Sequence, residues 1–384
     1  MEVEVRPSPF PMAIIPQREI PEVVDDMNLE FVELAGRRSL EYLERLDPSM
    51  TLSYGPIKVR VRDSVETIWR ILELVSECGD ARCVGERLRE EFVWLRVAGR
   101  DETPGKVLLT GYYLPRLQGS LDGRGDYRFP LYGLPEDLVE VDLGLFAKDL
   151  EGRRIVGRLE GRRLVPYYTR CEIDRDMKLQ GRGLEIAWVK DPIERFFLHI
   201  QGSGEVVMED GSSFILGYHG SNGHPYRSLG RVLVEMGALY EEEVSMQTIR
   251  AYLTEHREEM DSLFCQNPSY VFFRRTEGGP LGHLNVPLTE GRSIATDKRI
   301  FPPGAVAVLC STLPQEGARG KRGPRRPFCR IVFNQDTGGA IKGKGRVDLY
   351  CGSGPHAELV AGNLQEEGSL YFLLKKDLLP ADPK

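Results

Sequence analysis

Apolar positions recur at two different periods along this chain, and the change of period divides it. In residues 27–46, Leu29, Val32, Leu40 and Leu43 fall at helical spacing. Asp63 with Glu66 forms a capping-box pattern ahead of Ile68, Ile71, Leu72 and Val75, and Gly79 stands where that helix should stop. Asp80 is placed to cap a further helix ending near Trp94. From Lys106 the pattern becomes that of strands. Residues 107–113 are expected as a strand, followed by turn-rich sequence with Gly119, Gly123, Gly125 and Pro130. Further strands are expected over residues 186–189, 195–200, 270–273, 306–309, 330–333 and 370–374. Helices over residues 228–236 and 246–263 interrupt them, and a last helix starts at Pro355 and ends near Gly368. Many short strands with few helices predict barrels rather than a doubly wound parallel sheet.

Composition adds limits. The 384 residues suit two domains, 41% of them hydrophobic and 28% charged. The net charge of −7 gives no reason to expect nucleic acid as a partner. The one basic run, from Arg319 to Arg326, is interleaved with Gly and Pro and reads as a solvated loop. The start, Met1 to Pro7, lacks the form of a signal peptide, and no stretch of about 18 apolar residues suggests a membrane span. Seven scattered cysteines without a CxxC pair are expected as free small hydrophobes rather than a disulfide framework, Cys78 and Cys83 included. His219 and His224 fit no zinc spacing, so neither metal nor cofactor is expected.

Candidate chemistry concentrates near the C-terminus. Asp336-Thr337-Gly338-Gly339-Ala340-Ile341-Lys342-Gly343 is followed by Arg346-Val347-Asp348-Leu349-Tyr350. A single Asp-Thr-Gly excludes an aspartic protease, which needs two such carboxylates sharing a proton. The glycines lack the spacing of a phosphate loop. Val347 and Leu349 flank Asp348, so strand alternation turns the carboxyl to the other face. In a groove it would be desolvated and suited to general acid work near neutral pH. On local pattern alone, a solvent-facing aspartate on an amphipathic strand is the stronger reading. Two polar turns, Gln201-Gly202-Ser203-Gly204 and the run from Gly220 to Arg227 with Asn222 and Tyr226, suit a polyol ligand, or are plain turn chemistry. Tyr112, Tyr113, Tyr226 and Trp188 are candidates for stacking on sugar faces, or core aromatics.

Several long motifs occur in a fixed order. They are Gly111-Tyr112-Tyr113-Leu114-Pro115, Leu184-Glu185-Ile186-Ala187-Trp188, Phe196-Phe197-Leu198-His199-Ile200-Gln201-Gly202-Ser203-Gly204, and Ser221-Asn222-Gly223-His224-Pro225-Tyr226. Asn267-Pro268-Ser269-Tyr270-Val271-Phe272-Phe273, Gly291-Arg292-Ser293-Ile294-Ala295-Thr296-Asp297 and the Asp336 segment follow. From about Lys106 to Leu374 the chain closely resembles the membrane-bound lytic murein transglycosylase A family.

The resemblance implies a mainly β fold with helices: a double-psi β-barrel domain (residues 1–114 and 279–384) and a second inserted β-barrel domain (115–278), with a deep groove between them. It implies non-hydrolytic cleavage of the β-1,4 bond between N-acetylmuramic acid and N-acetylglucosamine, giving 1,6-anhydromuramoyl ends. One carboxyl then suffices, as acid and afterwards as base, whereas a water-activating glycosidase needs a second at about 5–9.5 Å. The three aspartates that name the C-terminal domain correspond to Asp297, Asp336 and Asp348. Asp348 matches the catalytic one and Asp336 the supporting one. Thr110, Gly111, Tyr112, Tyr113, Gln201, Ser203, Asn222, Tyr226, Gly338, Gly339 and Lys342 are the implied substrate-binding residues. The alternatives are an inverting glycoside hydrolase, with Asp336 or Asp297 as base, and a non-catalytic peptidoglycan-binding module. The partners it implies are peptidoglycan glycan strands, with other cell-wall enzymes as further candidates. The location would be periplasmic, with an outer-membrane anchor in a full-length precursor. Family members often carry a lipid-attachment cysteine directly after the signal peptide. The first cysteine here is Cys78, within a predicted helix.

Overall fold

The computed structural model describes residues 10–315 and 324–378. The segment Met1 to Pro7 and most of the Arg319–Arg326 run lie outside the described residues; Arg325 and Arg326 begin a strand. The chain forms two compact units, Met1–Tyr113 with Leu281–Lys384, and Leu114–Pro280.

In the first unit, six strands close on themselves. In order around the barrel they are Val107–Leu114, Gln365–Lys375, Val306–Pro314, Arg325–Asp336, Ser293–Ala295 and Arg346–Ser353, the last pairing back with the first. Most neighbours are antiparallel, but Ser293–Ala295 runs parallel to Arg325–Asp336. Closure leaves these strands no free edge among themselves. Many of their residues are aliphatic or aromatic and essentially inaccessible, among them Leu109, Ile331, Phe333, Val347 and Leu370. Helices Val32–Leu43 and Val61–Cys78 pack outside, and buried ion pairs tie their N-terminal leader to the barrel. Arg292 chelates Asp25 at 2.6 and 3.0 Å, both fully buried, and Arg330 holds Asp26 at 2.5 and 2.8 Å. Such pairs fix register because breaking either strands a charge in the interior.

The second unit carries six strands in the order Val271–Thr276, Ser213–Ser221, Gly204–Val207, Arg116–Ser120, Glu185–Val189 and Phe129–Tyr132. A bridge between Gly133 and Phe273 joins the two ends of this sheet. Leu117, Leu131, Val189, Val206, Leu216 and Phe273 form the core inside it. A helical cluster built on Phe196, Phe197, Leu233 and Phe264 packs as a second core.

Several local expectations are overturned. Residues 195–200 are helix, not strand: Pro192–Gln201 starts on an Asp191 cap with Pro at its first turn and ends at left-handed Gly202. A short apolar run does not distinguish a buried helix from a strand, and here the Asp-Pro start decided it. Asp63 is the third helical residue rather than the cap: the helix begins at Val61, and Asp63 accepts from the Arg60 N–H at 2.8 Å. Asp80 does cap its helix, but this ends at Glu91, and Trp94 lies in strand Phe92–Val97. The long helix over 246–263 is two, Met246–Glu255 and Met260–Cys265, and the last helix stops at Asn363. The free-cysteine expectation also fails. Disulfides join Cys78 with Cys83, Cys171 with Cys265, and Cys310 with Cys329, and Cys351 alone is a free, buried thiol.

Candidate active site

Three barrel strands and one loop bring two aspartates to the same level. Ala295, at the end of the short strand, is in register with Asp348 on one side and Asp336 on the other. The two aspartates therefore sit on strands one apart, with backbones about 10 Å from each other.

A fourth strand serves both carboxyls. Thr110 and Tyr112 are two residues apart on Val107–Leu114 and share a face. The Thr110 hydroxyl donates to Asp348 Oδ1 at 2.8 Å, and the Tyr112 hydroxyl donates to Asp336 Oδ2 at 2.9 Å. Arg346, two residues before Asp348 on its strand, donates from Nη2 to Thr110 Oγ1 at 3.3 Å. That contact turns the Thr110 proton toward Asp348. Asp336 Oδ1 accepts two backbone N–H groups, from His283 and Thr337, each at 2.8 Å. Gly282 permits the first: a Cβ there would stand 2.6 Å from the Gln335 carbonyl oxygen.

Both carboxyls are half-buried yet closely surrounded by protein, and desolvation pushes each up to about 6. The Thr110 hydrogen bond and Arg346 oppose the rise at Asp348, while the Asp336 charge adds to it. Three hydrogen-bond donors oppose it at Asp336. Asp297 behaves otherwise. It is 1% exposed, accepts from Arg299 Nε and Nη2 at 2.9 and 2.6 Å and from the Gly343 N–H at 2.8 Å, and is held far below the usual carboxylate range despite its burial. It braces the turn carrying Gly338 and Gly339, and both its oxygens are occupied.

The remaining candidates separate. Gly338 is half-buried, while Gly339 and Lys342 are exposed on that turn. Gly111 faces away from the carboxyls; its missing Cβ is explained by Ala361 Cα and Cys351 Sγ, 2.9 and 3.0 Å from where one would stand. Tyr113 is on the same opposite face and buried, so it is not an open stacking platform. Gln201, Ser203, Asn222 and Tyr226 belong to the other unit. Asn222 is a staple rather than a free amide: it donates to the Tyr168 and Pro268 carbonyls at 2.8 Å each and accepts from the Tyr270 N–H at 2.8 Å. Ser203 is buried, Gln201 ends a helix, and Tyr226 is 37% exposed.

Sequence reasoning missed Arg346, although its place two residues from Asp348 was readable by strand alternation. It also missed the His283 N–H, a backbone contact that no side-chain pattern announces. Among the described residues, no group of His, Cys, Asp and Glu is arranged to hold a metal ion, and no helix is long and apolar enough to cross a membrane.

Family comparisons place these features. Residues 108–274 match the MltA specific insert domain, and residues 292–374 match the 3D domain. The chain is 33% identical over 272 residues to the membrane-bound lytic murein transglycosylase A of Escherichia coli K12, covering 70% of this chain and 66% of that protein. The Vibrio cholerae protein of the same name is 30% identical over 278 residues, 72% of this chain and 67% of its own length. The crystal structure of a membrane-bound lytic murein transglycosylase from Agrobacterium tumefaciens superposes with a TM-score of 0.76 at 28% identity, covering 96% of this chain and 98% of that one. E. coli MltA with bound chitohexaose superposes with a TM-score of 0.71 at 25% identity, covering 98% and 97%. Insert domain, three-aspartate domain and two-unit fold agree: this chain belongs to the membrane-bound lytic murein transglycosylase A family, a family of peptidoglycan-cleaving enzymes.

Proposed function

We propose that this chain is a lytic transglycosylase that cleaves the MurNAc–GlcNAc bond of peptidoglycan without water, leaving a 1,6-anhydromuramoyl end, with Asp348 as the one acid and base. The observation that carries the reading is the state of Asp348: a carboxyl pushed up to about 6 and backed by a single neutral hydroxyl. Near neutral pH such a group exists in both forms, as a reaction needing acid first and base second requires. Thr110 occupies Oδ1, so Oδ2 carries the proton toward the glycosidic oxygen. As the bond breaks, the proton passes to the leaving GlcNAc oxygen and positive charge develops at the muramoyl C1. The carboxylate left behind takes the proton of the C6 hydroxyl while that oxygen bonds to C1.

Asp336 is assigned a supporting role. Its three donors favour the charged form, and a carboxylate beside the ring favours an oxocarbenium-like transition state electrostatically. A charged Asp336 also raises Asp348 and keeps it protonated for the first step. Asp297 does not suit a general base, because its oxygens are committed to Arg299 and Gly343. Saccharide binding is supported by the chitohexaose complex of the E. coli relative. The three disulfides and the membrane-bound relatives favour an oxidising, periplasmic setting at the envelope.

The test is digestion of isolated murein sacculi with mass analysis of the muropeptides. Products 18 mass units lighter than hydrolytic ones are the expected result. Fragments with a free reducing end would instead indicate a hydrolase, and unchanged sacculi a binding protein.

A further inference from the structure

We infer that the inserted unit carries a separate site for a carboxylate-bearing peptide, suited to the peptide stem of the glycan strand. This rests on the peptidoglycan reading above and names a second feature of the same substrate. Muramoyl residues carry short peptides through their lactyl ether, and those peptides bear free carboxylates.

The site is a cavity of about 260 Å³ that lies wholly within the inserted unit. Four arginines line it, Arg128, Arg170, Arg175 and Arg195, against two acids, Asp174 and Asp261. The excess of positive charge stands out in a chain whose net charge is −7. The inner pair is fixed. Arg170 is 2% exposed and held by the carbonyls of Asn267 and Ser269 at 3.2 and 2.7 Å, and Arg195 is 6% exposed and paired with Asp174 at 2.8 Å. The outer pair is exposed. Arg128 donates to the Gly125 carbonyl at 3.2 Å, and Arg175 reaches Asp176 at 3.0 Å, a solvent-screened pair that a ligand carboxylate can replace. Pro192, at the start of helix Pro192–Gln201, is also on the wall, and that end of the helix adds partial positive charge.

Two further observations point to a peptide rather than a bare anion. Trp188 and Phe129 contribute apolar wall beside the guanidinium groups, which suits short side chains and backbone. Met177 lines the cavity while 56% exposed, and its backbone is left-handed at φ 52°, a conformation a non-glycine residue holds at a cost. An adaptable apolar side chain held out in that way fits a surface that closes over a ligand. The wall is also pre-organised, because the Cys171–Cys265 disulfide pins helix Arg170–Asp174 to helix Met260–Cys265.

The experiment titrates the full chain calorimetrically with the dipeptide L-alanyl-γ-D-glutamate and with its diamide. The dipeptide should bind and the diamide should not. Arg128→Gln with Arg175→Gln, both surface changes, should weaken dipeptide binding by about tenfold or more. Asp348→Asn should leave that binding intact. In parallel, kcat/KM is compared on sacculi and on glycan strands stripped of stems by an amidase. The wild-type chain should favour stem-bearing strands, and the double variant should bring the ratio toward one. Equal binding of acid and diamide, absence of binding, or a ratio the variant does not move would overturn the stem site. Wild-type failure on both glycans would sink the catalytic reading instead, while the titration still decides the pocket.

Discussion

Asp297 and Asp348 occupy the same barrel, yet their protons are held in opposite ways. Asp297 is the more completely buried and is the strong acid; Asp348 keeps some solvent contact and is the weak one. Area removed from water does not decide the outcome. Partners do. A guanidinium fork and a backbone N–H surround Asp297, and charge-assisted bonds of this kind outweigh its desolvation. Asp348 has one neutral hydroxyl, and Asp336 has three neutral donors; neither set overcomes burial. Under the proposed mechanism, the difference separates a structural aspartate from ones available for proton transfer.

The largest way to break this comparison is to neutralise each acid in turn. Asp348→Asn should lower turnover on sacculi by about 10³-fold or more, the upper part of the range for removing a general acid and base. Binding of a glycan oligomer should persist. If the variant keeps a tenth of wild-type activity, Asp348 is not the proton donor. Asp297→Asn should act on stability instead. It leaves Gly343 and the Arg299 backbone less well satisfied, a loss of about 2 kcal/mol. The Arg299 side chain is 62% exposed, so its charge contributes little to that figure. Thermal unfolding should register the loss, and an unchanged midpoint would deny Asp297 its bracing role.

Much of this contrast was legible in the sequence, and the rest was hidden for physical reasons. Alternation around Val347-Asp348-Leu349 was enough to turn the carboxyl away from the core, and Thr110 and Tyr112 were marked, though not their assignment to different acids. The family resemblance supplied the ranking of the aspartates that is proposed above; local pattern alone favoured a solvent-facing Asp348. Asn222 carried a binding-like motif but fastens its own turn, since an amide amid glycines serves either purpose. The helix at residues 192–201 was misread because so short an apolar run, Phe196 to Leu198, has no period to report. Cys171 and Cys265 are 94 positions apart, so only the fold could pair them. Arg299, by contrast, is only two positions from Asp297 and could have been recognised as its counter-ion.

The smallest and sharpest effects concern the pH profile, where two variants should move one limb in opposite directions. In the proposed mechanism the first step needs Asp348 protonated, so kcat/KM should fall as pH rises through about 6, the value burial imposes. In Asp336→Asn the negative charge that raises Asp348 is gone, so the limb should shift to lower pH. In Thr110→Val the hydrogen bond that favours the carboxylate is gone, so the limb should shift to higher pH, and Thr110→Ser should restore it. The same sign governs stability. A carboxyl whose folded pKa is raised makes no demand below its unfolded value near 3.8 and destabilises the fold progressively up to about 6. Wild-type protein should therefore lose stability between pH 4 and pH 7 relative to Asp348→Asn, by up to about 2–3 kcal/mol for a two-unit shift. Limbs that move the same way in both variants would show that some other group titrates there. A stability difference that grows with falling pH would place the Asp348 proton where the Asp297 one is, and the contrast between the two acids would be lost.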